Sequence, residues 1–356
     1  MVQQHQETTV ELSGKKCLVL CVNGRAADAV PHLTVNSTVI EVKEVAVYLG
    51  DIFNRKGSNN DMIEDRVKKG KSCIVNSMAL CKDVTMGMFA IDTLLLLYKS
   101  LFLQIVLNNA QAWSNLNNRD GKNLQTIQMK YLKRIFHAPS STPNCLTLLE
   151  TGITPILHEI HIKQLMFLYH ILTLDKDDLV KTTYEKQCKY PAANWANEVY
   201  SLRAKYKITQ TDTDITQLTK SSWKRTVKTA VRYHAFQELI KAAGELKCSH
   251  NILPYDTFER QEYLTELSPA QTRKVFHIRT NTVDLRTVRK YRYGENSKCR
   301  LCGYEDESIS HVVNKCERIK RTDEIPDVFT KDCTQLREIA QRCITFEELV
   351  NEEQNA

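Results

Sequence analysis

Three cysteines and one histidine near the C-terminal end, Cys299, Cys302, His311 and Cys316, follow the spacing Cys-x2-Cys-x8-His-x4-Cys. Thiolate and imidazole are the donors that tetrahedral zinc takes, and a two-residue gap lets both thiolates of a tight turn reach one ion at about 2.3 Å. Gly303, directly after the second cysteine, suits that turn because glycine accepts a positive φ. The stretch 310–316 can set His311 and Cys316 on adjacent turns of a short helix. A catalytic zinc keeps one position open for water, whereas four protein ligands close the sphere. The expected cofactor is therefore structural Zn, whose binding contributes to folding.

A basic stretch leads into this set. From Arg273 to Arg300 the chain carries Arg273, Lys274, Arg279, Arg286, Arg289, Lys290, Arg292, Lys298 and Arg300 against Asp284 and Glu295. That excess of seven equals the formal net charge of +7 for all 356 residues. Clustered cations of this kind are the footprint of a phosphate-backbone partner. Tyr291, Tyr293 and Tyr304 lie alongside, and aromatic faces can stack on unpaired bases. RNA or DNA, or both, is the expected partner, with no small-molecule substrate.

Other candidate chemistry falls away on spacing. His158-Glu159-Ile160-His161 is one residue short of the metalloprotease helix motif His-Glu-x-x-His, since position 162 is Ile, and reads as a polar helix face. Gly14-Lys15-Lys16 lacks both the upstream glycine and the following Ser or Thr of a phosphate-binding loop. Cys17 and Cys21 share a face of a predicted strand and read as small apolar packing groups. Cys333 and Cys343 read as helix packing or free thiols, and Trp195 and Trp223 as core anchors.

The elements that must position these residues are mainly helical. Strand signals are confined to the first fifty residues: Cys17 to Cys21 running into Asn23-Gly24, Leu33 to Val35 turning at Asn36-Ser37 into Thr38 to Val42, and Val45 to Leu49. β-branched runs broken by Asn-Gly and Asn-Ser read as hairpins, too few for a sheet that stands alone. Beyond Asn60 the apolar period becomes helical. It predicts helices from Asn60 through Cys81, over 91–113, 124–136, 155–174, 194–206, 218–246 and 257–267, and from Pro269 to Phe276 with Ser268 as N-cap. Ile208 to Gln217 reads as the longest polar loop.

At this length two or three packed units are expected, and a 42% hydrophobic, 26% charged composition is that of globular domains. The polar N-terminus and the interrupted apolar run at Leu94–Leu97 predict neither a signal peptide nor a membrane span. Twelve scattered cysteines, three grouped with a histidine, suit a reducing compartment, so an intracellular location, nuclear or cytoplasmic, is expected.

Read in order, several of these pieces resemble the C-terminal part of a LINE-type (non-LTR) retrotransposon reverse transcriptase. Leu12-Ser-Gly-Lys-Lys-Cys17 is similar to the lysine-bearing segment after the polymerase's catalytic strand, and Val47-Tyr-Leu-Gly50 to the signature that opens the thumb. Leu97-Tyr98 through Trp113 resembles the long thumb helix, although Ala110-Gln111-Ala112 replaces the usual tyrosine-glycine before the tryptophan. Leu132-Lys-Arg-Ile135, Thr142-Pro143, Glu150-Thr-Gly152 with Pro155, Arg279-Thr280, Asp284-Leu285 and Lys290-Tyr291 continue it, and the Cys/His set resembles the C-terminal knuckle. The likeness covers about residues 10–320 and is thin from Lys176 to Gln261.

The resemblance implies a palm remnant over 1–55, a thumb-like bundle over 56–175, a helical linker over 176–292, a CCHC zinc knuckle over 293–322 and an acidic tail over 323–356. It also implies RNA-directed DNA polymerase activity for the whole family, carried by two magnesium ions on aspartates. The adjacent Asp pair of that site would precede residue 1, and Asp177-Asp178 sits instead beside Lys176 at a helix end or loop. No catalytic residue is therefore expected here; Lys15 or Lys16 would have no reaction to assist, and Mg would matter only with the polymerase half present. The expected function is nucleic-acid binding. The alternatives are part of an active polymerase completed by upstream sequence, and a zinc-stabilised helical adaptor for proteins.

Overall fold

The computed structural model describes residues 17–21, 33–35, 37–48, 50–83, 90–246, 255–294, 296–319, 325 and 330–355, without the side chains of 81–83, 90 and 291. The expected segment at 12–16, the Asn23-Gly24 turn, Asn36, Leu49 and Glu295 lie outside the described residues. The chain divides into two units, Met1–Lys68 and Lys69–Ala356. The fold is mainly α, as the period beyond Asn60 requires.

The first unit carries the short strands β1 (Leu18–Val19), β2 (Thr34–Val35), β3 (Thr38–Val39), β4 (Glu41–Val42), β5 (Val45–Tyr48) and β6 (Asp51–Asn54), with the start of helix α1 (Asn60–Asp83). β2 and β3 form a hairpin through Ser37, which takes φ +62°. β5 and β6 form a second, with Gly50 at φ +84° in its turn. A correction falls on β1: it pairs in parallel with β4, Leu18 opposite Glu41, and not with a neighbour across a tight turn. The second hairpin is locked by α1, where Arg66 donates to the Asp51 carboxylate and to Gly50 O at 3.1 Å. Asn54 Nδ2 adds bonds to Ser58 Oγ at 3.0 Å and to Asp61 Oδ2 at 2.7 Å.

The second unit continues through α2 (Ala90–Leu97), a π-turn at Tyr98–Phe102, α3 (Leu103–Val106), α4 (Asn118–Ile135), α5 (Asn144–Thr151) and α6 (Ile156–Thr173). The single helix expected over 91–113 ends early, because Asn109 turns left-handed at φ +55°, a conformation that asparagine tolerates. α4 starts six residues before its expected beginning at Leu124, since the Asn117 side chain caps Asp120 N at 2.8 Å. Tyr98, Phe102 and Tyr131 pack with ring centroids 5.0–5.3 Å apart, the first two stacked and Tyr131 edge-on to Tyr98. Gln128, fully buried, satisfies Tyr98 OH at 2.7 Å, Thr154 O at 3.0 Å and Ile156 N at 2.9 Å.

Next come α7 (Leu179–Lys189), α8 (Trp195–Lys205), α9 (Asp212–Gln217) and α10 (Lys220–Gly244). The expected loop at 208–217 instead holds α9, which Thr211 and Asp214 start with a capping box. α6, α8 and α10 bury Leu165, Leu168, Val199, Val227 and Val231 around Trp223. Trp223 Nε1 donates to Leu165 O at 2.9 Å and Trp195 Nε1 to Gln111 O at 2.9 Å, so both tryptophans anchor the core.

Last are α11 (Tyr263–Glu266), α12 (Pro269–Arg279), the single turn α13 (Lys290–Tyr293) and α14 (Cys333–Asn355). Only α11 forms where a helix was expected over 257–267, because Gln261 N bonds to Glu150 O at 3.2 Å, outside any local helix. Gly152, at φ +61°, is where the chain segments touch: a Cβ there would lie 2.5 Å from Arg260 N. Ser268 caps α12 as expected, with Gln271 completing the capping box. The segment expected as an acidic tail contains α14, which buries Leu336, Ile339, Ala340, Cys343, Phe346 and Val350 on one side.

Candidate metal centre and the basic segment beside it

Two backbone devices bring Cys299 and Cys302 together. Gly303 N bonds to Cys299 O at 3.0 Å with Gly303 at φ +73°, and Cys299 N bonds to Glu305 O at 2.8 Å, folding the loop back beside the Lys298–Asp306 bridge. His311 and Cys316 come from a π-turn at His311–Lys315, closed by Cys316 N to His311 O at 2.8 Å. The donor atoms of Cys299, Cys302, His311 and Cys316 all lie within 4.8 Å of one another, so the four could hold a metal ion. Cys302 Sγ is 3.3 Å from His311 Nε2, and Cys299 Sγ is 3.9 Å from Cys316 Sγ. A tetrahedron with metal–sulfur bonds of about 2.3 Å has edges of about 3.8 Å, close to the Cys299–Cys316 separation.

The surroundings fit the same role. Glu305 Oε2 stands 3.3 Å from His311 Nδ1, placed to accept the ring proton in the tautomer whose Nε2 lone pair serves the cluster. Burial pushes the Cys316 thiol up to about 12 and the Cys299 thiol up as well. For Cys302 burial acts in the same direction, but hydrogen bonds from the Tyr304 and Glu305 backbone and from the Cys299 and Cys316 side chains together outweigh it and lower its pKa. Three thiolates in so small a volume need a cation to stay deprotonated.

Two braces fix the loop in the second unit. Fully buried Glu307 accepts from Arg286 N at 2.9 Å and Arg300 N at 2.8 Å, and pairs with the Arg300 guanidinium at 2.8 Å. On the opposite flank Arg342 of α14 donates to Val313 O at 2.9 Å, and Arg300 lies 5.5 Å from the Phe346 ring.

The basic residues divide into two groups. Arg279 is in the core, bonded to buried Glu150 at 2.8 Å between the rings of Tyr255 and Tyr263. Arg300 is held by Glu307, Lys274 by Glu347, and Arg273 Nε donates to Ile135 O at 3.3 Å. Arg289 donates to Thr282 O at 2.7 Å, and Arg286 to Lys298 O at 2.8 Å. Tyr293 is half-buried, its hydroxyl donating to Asp284 at 2.9 Å. These side chains spend their donors on the protein. Lys290, Arg292, Lys298 and Tyr304 are exposed, the last at 75%. Arg292 pairs with Asp284 at 3.1 Å and Lys298 with Asp306 at 3.8 Å, both at the surface. The side chain of Tyr291 lies outside the described residues. Lys315 and Arg318, missed in the sequence because they follow the basic window, add two exposed cations near Cys316, paired at the surface with Glu305 at 3.6 Å and Glu353 at 2.5 Å.

A second group escaped the sequence. His158 does not face solvent as part of a polar helix face: it is 6% exposed and meets His234 and Glu238 of α10. The available signal was His234-x3-Glu238, one helical turn apart.

Comparison with protein-family models, curated proteins and solved structures found no match to this chain. Among the described residues no helix is long and apolar enough to cross a membrane.

Proposed function

We propose that the Cys/His set is a structural zinc knuckle and that the surface beside it binds nucleic acid, as the C-terminal part of a LINE-type reverse transcriptase would. The observation that carries the reading is the convergence of three thiols and one imidazole, all donor atoms within 4.8 Å of one another, with Glu305 behind the histidine. Sulfur-rich four-donor sets favour zinc, and four protein ligands leave no position for a reacting water. The helices from α1 to α6 correspond in this reading to a thumb-like bundle, and those from α7 to α12 to a linker. Support for the assignment comes from two residues of the resemblance, distant in sequence, that meet in space: Glu150 and Arg279.

Binding would use Lys290, Arg292, Lys298, Lys315 and Arg318, with Tyr304 stacking on an unpaired base. Exposed ion pairs such as Arg292–Asp284 are worth about 0–1 kcal/mol, so a phosphate can replace the acid at little cost. Anisotropy titration of a labelled single-stranded RNA over a salt series tests this. Affinity should fall steeply with salt, and K290E/R292E/K298E should flatten the slope by roughly 0.7 per phosphate contact removed. A wild-type affinity independent of salt would refute the nucleic-acid reading.

A further inference from the structure

The knuckle leaves unused the donor cluster between α6 and α10. His158 Nε2 lies 3.2 Å from Glu238 Oε2, and His234 Nδ1 lies 3.2 Å from Glu238 Oε1. One donor atom from each residue falls within 4.8 Å of the others. Despite these approaches, neither ring nitrogen of buried His158 makes a hydrogen bond among the described residues, and neither does His234 Nδ1. Buried polar atoms are nearly always satisfied, so two imidazoles with unpartnered nitrogens beside one carboxylate call for a missing partner.

We propose that His158, His234 and Glu238 form a second metal site, which takes a divalent ion of zinc's class through two imidazole nitrogens and the Glu238 carboxylate and leaves a position to water. Metal–nitrogen and metal–oxygen bonds of about 2.0–2.2 Å give tetrahedral edges of about 3.3–3.5 Å, close to the 3.2 Å at which His158 Nε2 meets Glu238 Oε2 and His234 Nδ1 meets Oε1 of the same carboxylate. The competing cation is Lys205, whose Nζ lies 3.6 Å from Glu238 Oε1. Its side chain is 38% exposed on a flexible stem, and an entering ion would turn it out to solvent. His161 closes one wall, bonded to Tyr206 OH at 2.5 Å, with its ring 6.0 Å from that of His158. The ion would join α6 to α10 across their shared core, a structural staple unlike the loop-bound knuckle.

Metal content and cobalt(II) absorption of the full chain test the proposal, in wild type and in H234A/E238Q, whose substituted groups are partly exposed. Two ions per chain should fall to one in the variant, and the remaining cobalt should keep its thiolate-to-metal charge-transfer bands. A single wild-type ion without those bands, lost in the variant, would keep this site and remove the knuckle. A single wild-type ion with thiolate bands would overturn the second site. So would two ions retained in the variant.

Discussion

Glu307→Gln isolates the brace that holds the knuckle loop. The carboxylate is fully buried and meets two backbone N–H groups and the Arg300 guanidinium, all at 2.8–3.0 Å. The neutral amide leaves Arg300 without its buried countercharge, and breaking one side of a buried pair costs about 3–5 kcal/mol. The amide protons of Arg286 and Arg300 are protected through this one side chain, so their hydrogen exchange reads the local opening free energy directly. At 1.4 kcal/mol per tenfold, exchange at both amides should quicken by roughly two to nearly four orders of magnitude. The double variant E307Q/R300M removes the orphaned charge and should recover much of the loss. Exchange within threefold of wild type in E307Q would refute the assignment of Arg300 to the brace, and would return it to the set of free cations.

Three further outcomes follow from the second unit, whose unfolding by urea can be read from Trp113, Trp195 and Trp223, all of which it contains. Gly152→Ala places a Cβ against the Arg260 backbone at φ +61° and should cost about 2–4 kcal/mol; an unchanged urea midpoint would contradict that contact. Gln128→Leu leaves Tyr98 OH, Thr154 O and Ile156 N without a partner and should cost about 2–4 kcal/mol, against less than about 0.5 if those bonds are incidental. Burial lowers His277 from 6.5 to about 4, so the unfolded chain takes up a proton that the folded one refuses. Stability should therefore fall as pH drops from about 6.5 to about 4, by about 3 kcal/mol from this residue, and His277→Gln should reduce that slope. A variant with the full wild-type slope would place the acid sensitivity elsewhere.

What the sequence made legible was local chemistry. Ser268-Pro269 announced the start of α12, Asn194 the start of α8, and the cysteine spacing a cluster that three-dimensional proximity bears out. Asn109 and Gln261 depart from their helical periods for different reasons. The first is a local left-handed turn that amino-acid type permits but does not require; the second answers a backbone acceptor on Glu150, over a hundred positions away. The basic window overstated its free charge for a similar reason. Glu150, Glu307 and Glu347 lie outside it, yet they neutralise Arg279, Arg300 and Lys274 within it. Counting charge along the chain cannot see such pairs. The α7 helix and the His158 cluster were hidden likewise, since the first has no buried residue and the second needs α6 and α10 side by side.

Zinc-edge X-ray absorption on the H234A/E238Q chain measures the coordination sphere at the C-terminal set without interference from the second site. Three sulfurs at about 2.3 Å and one nitrogen at about 2.0 Å around a single ion are expected. A sphere of nitrogen and oxygen alone, or a chain that takes up no ion, would contradict a metal held by Cys299, Cys302, His311 and Cys316.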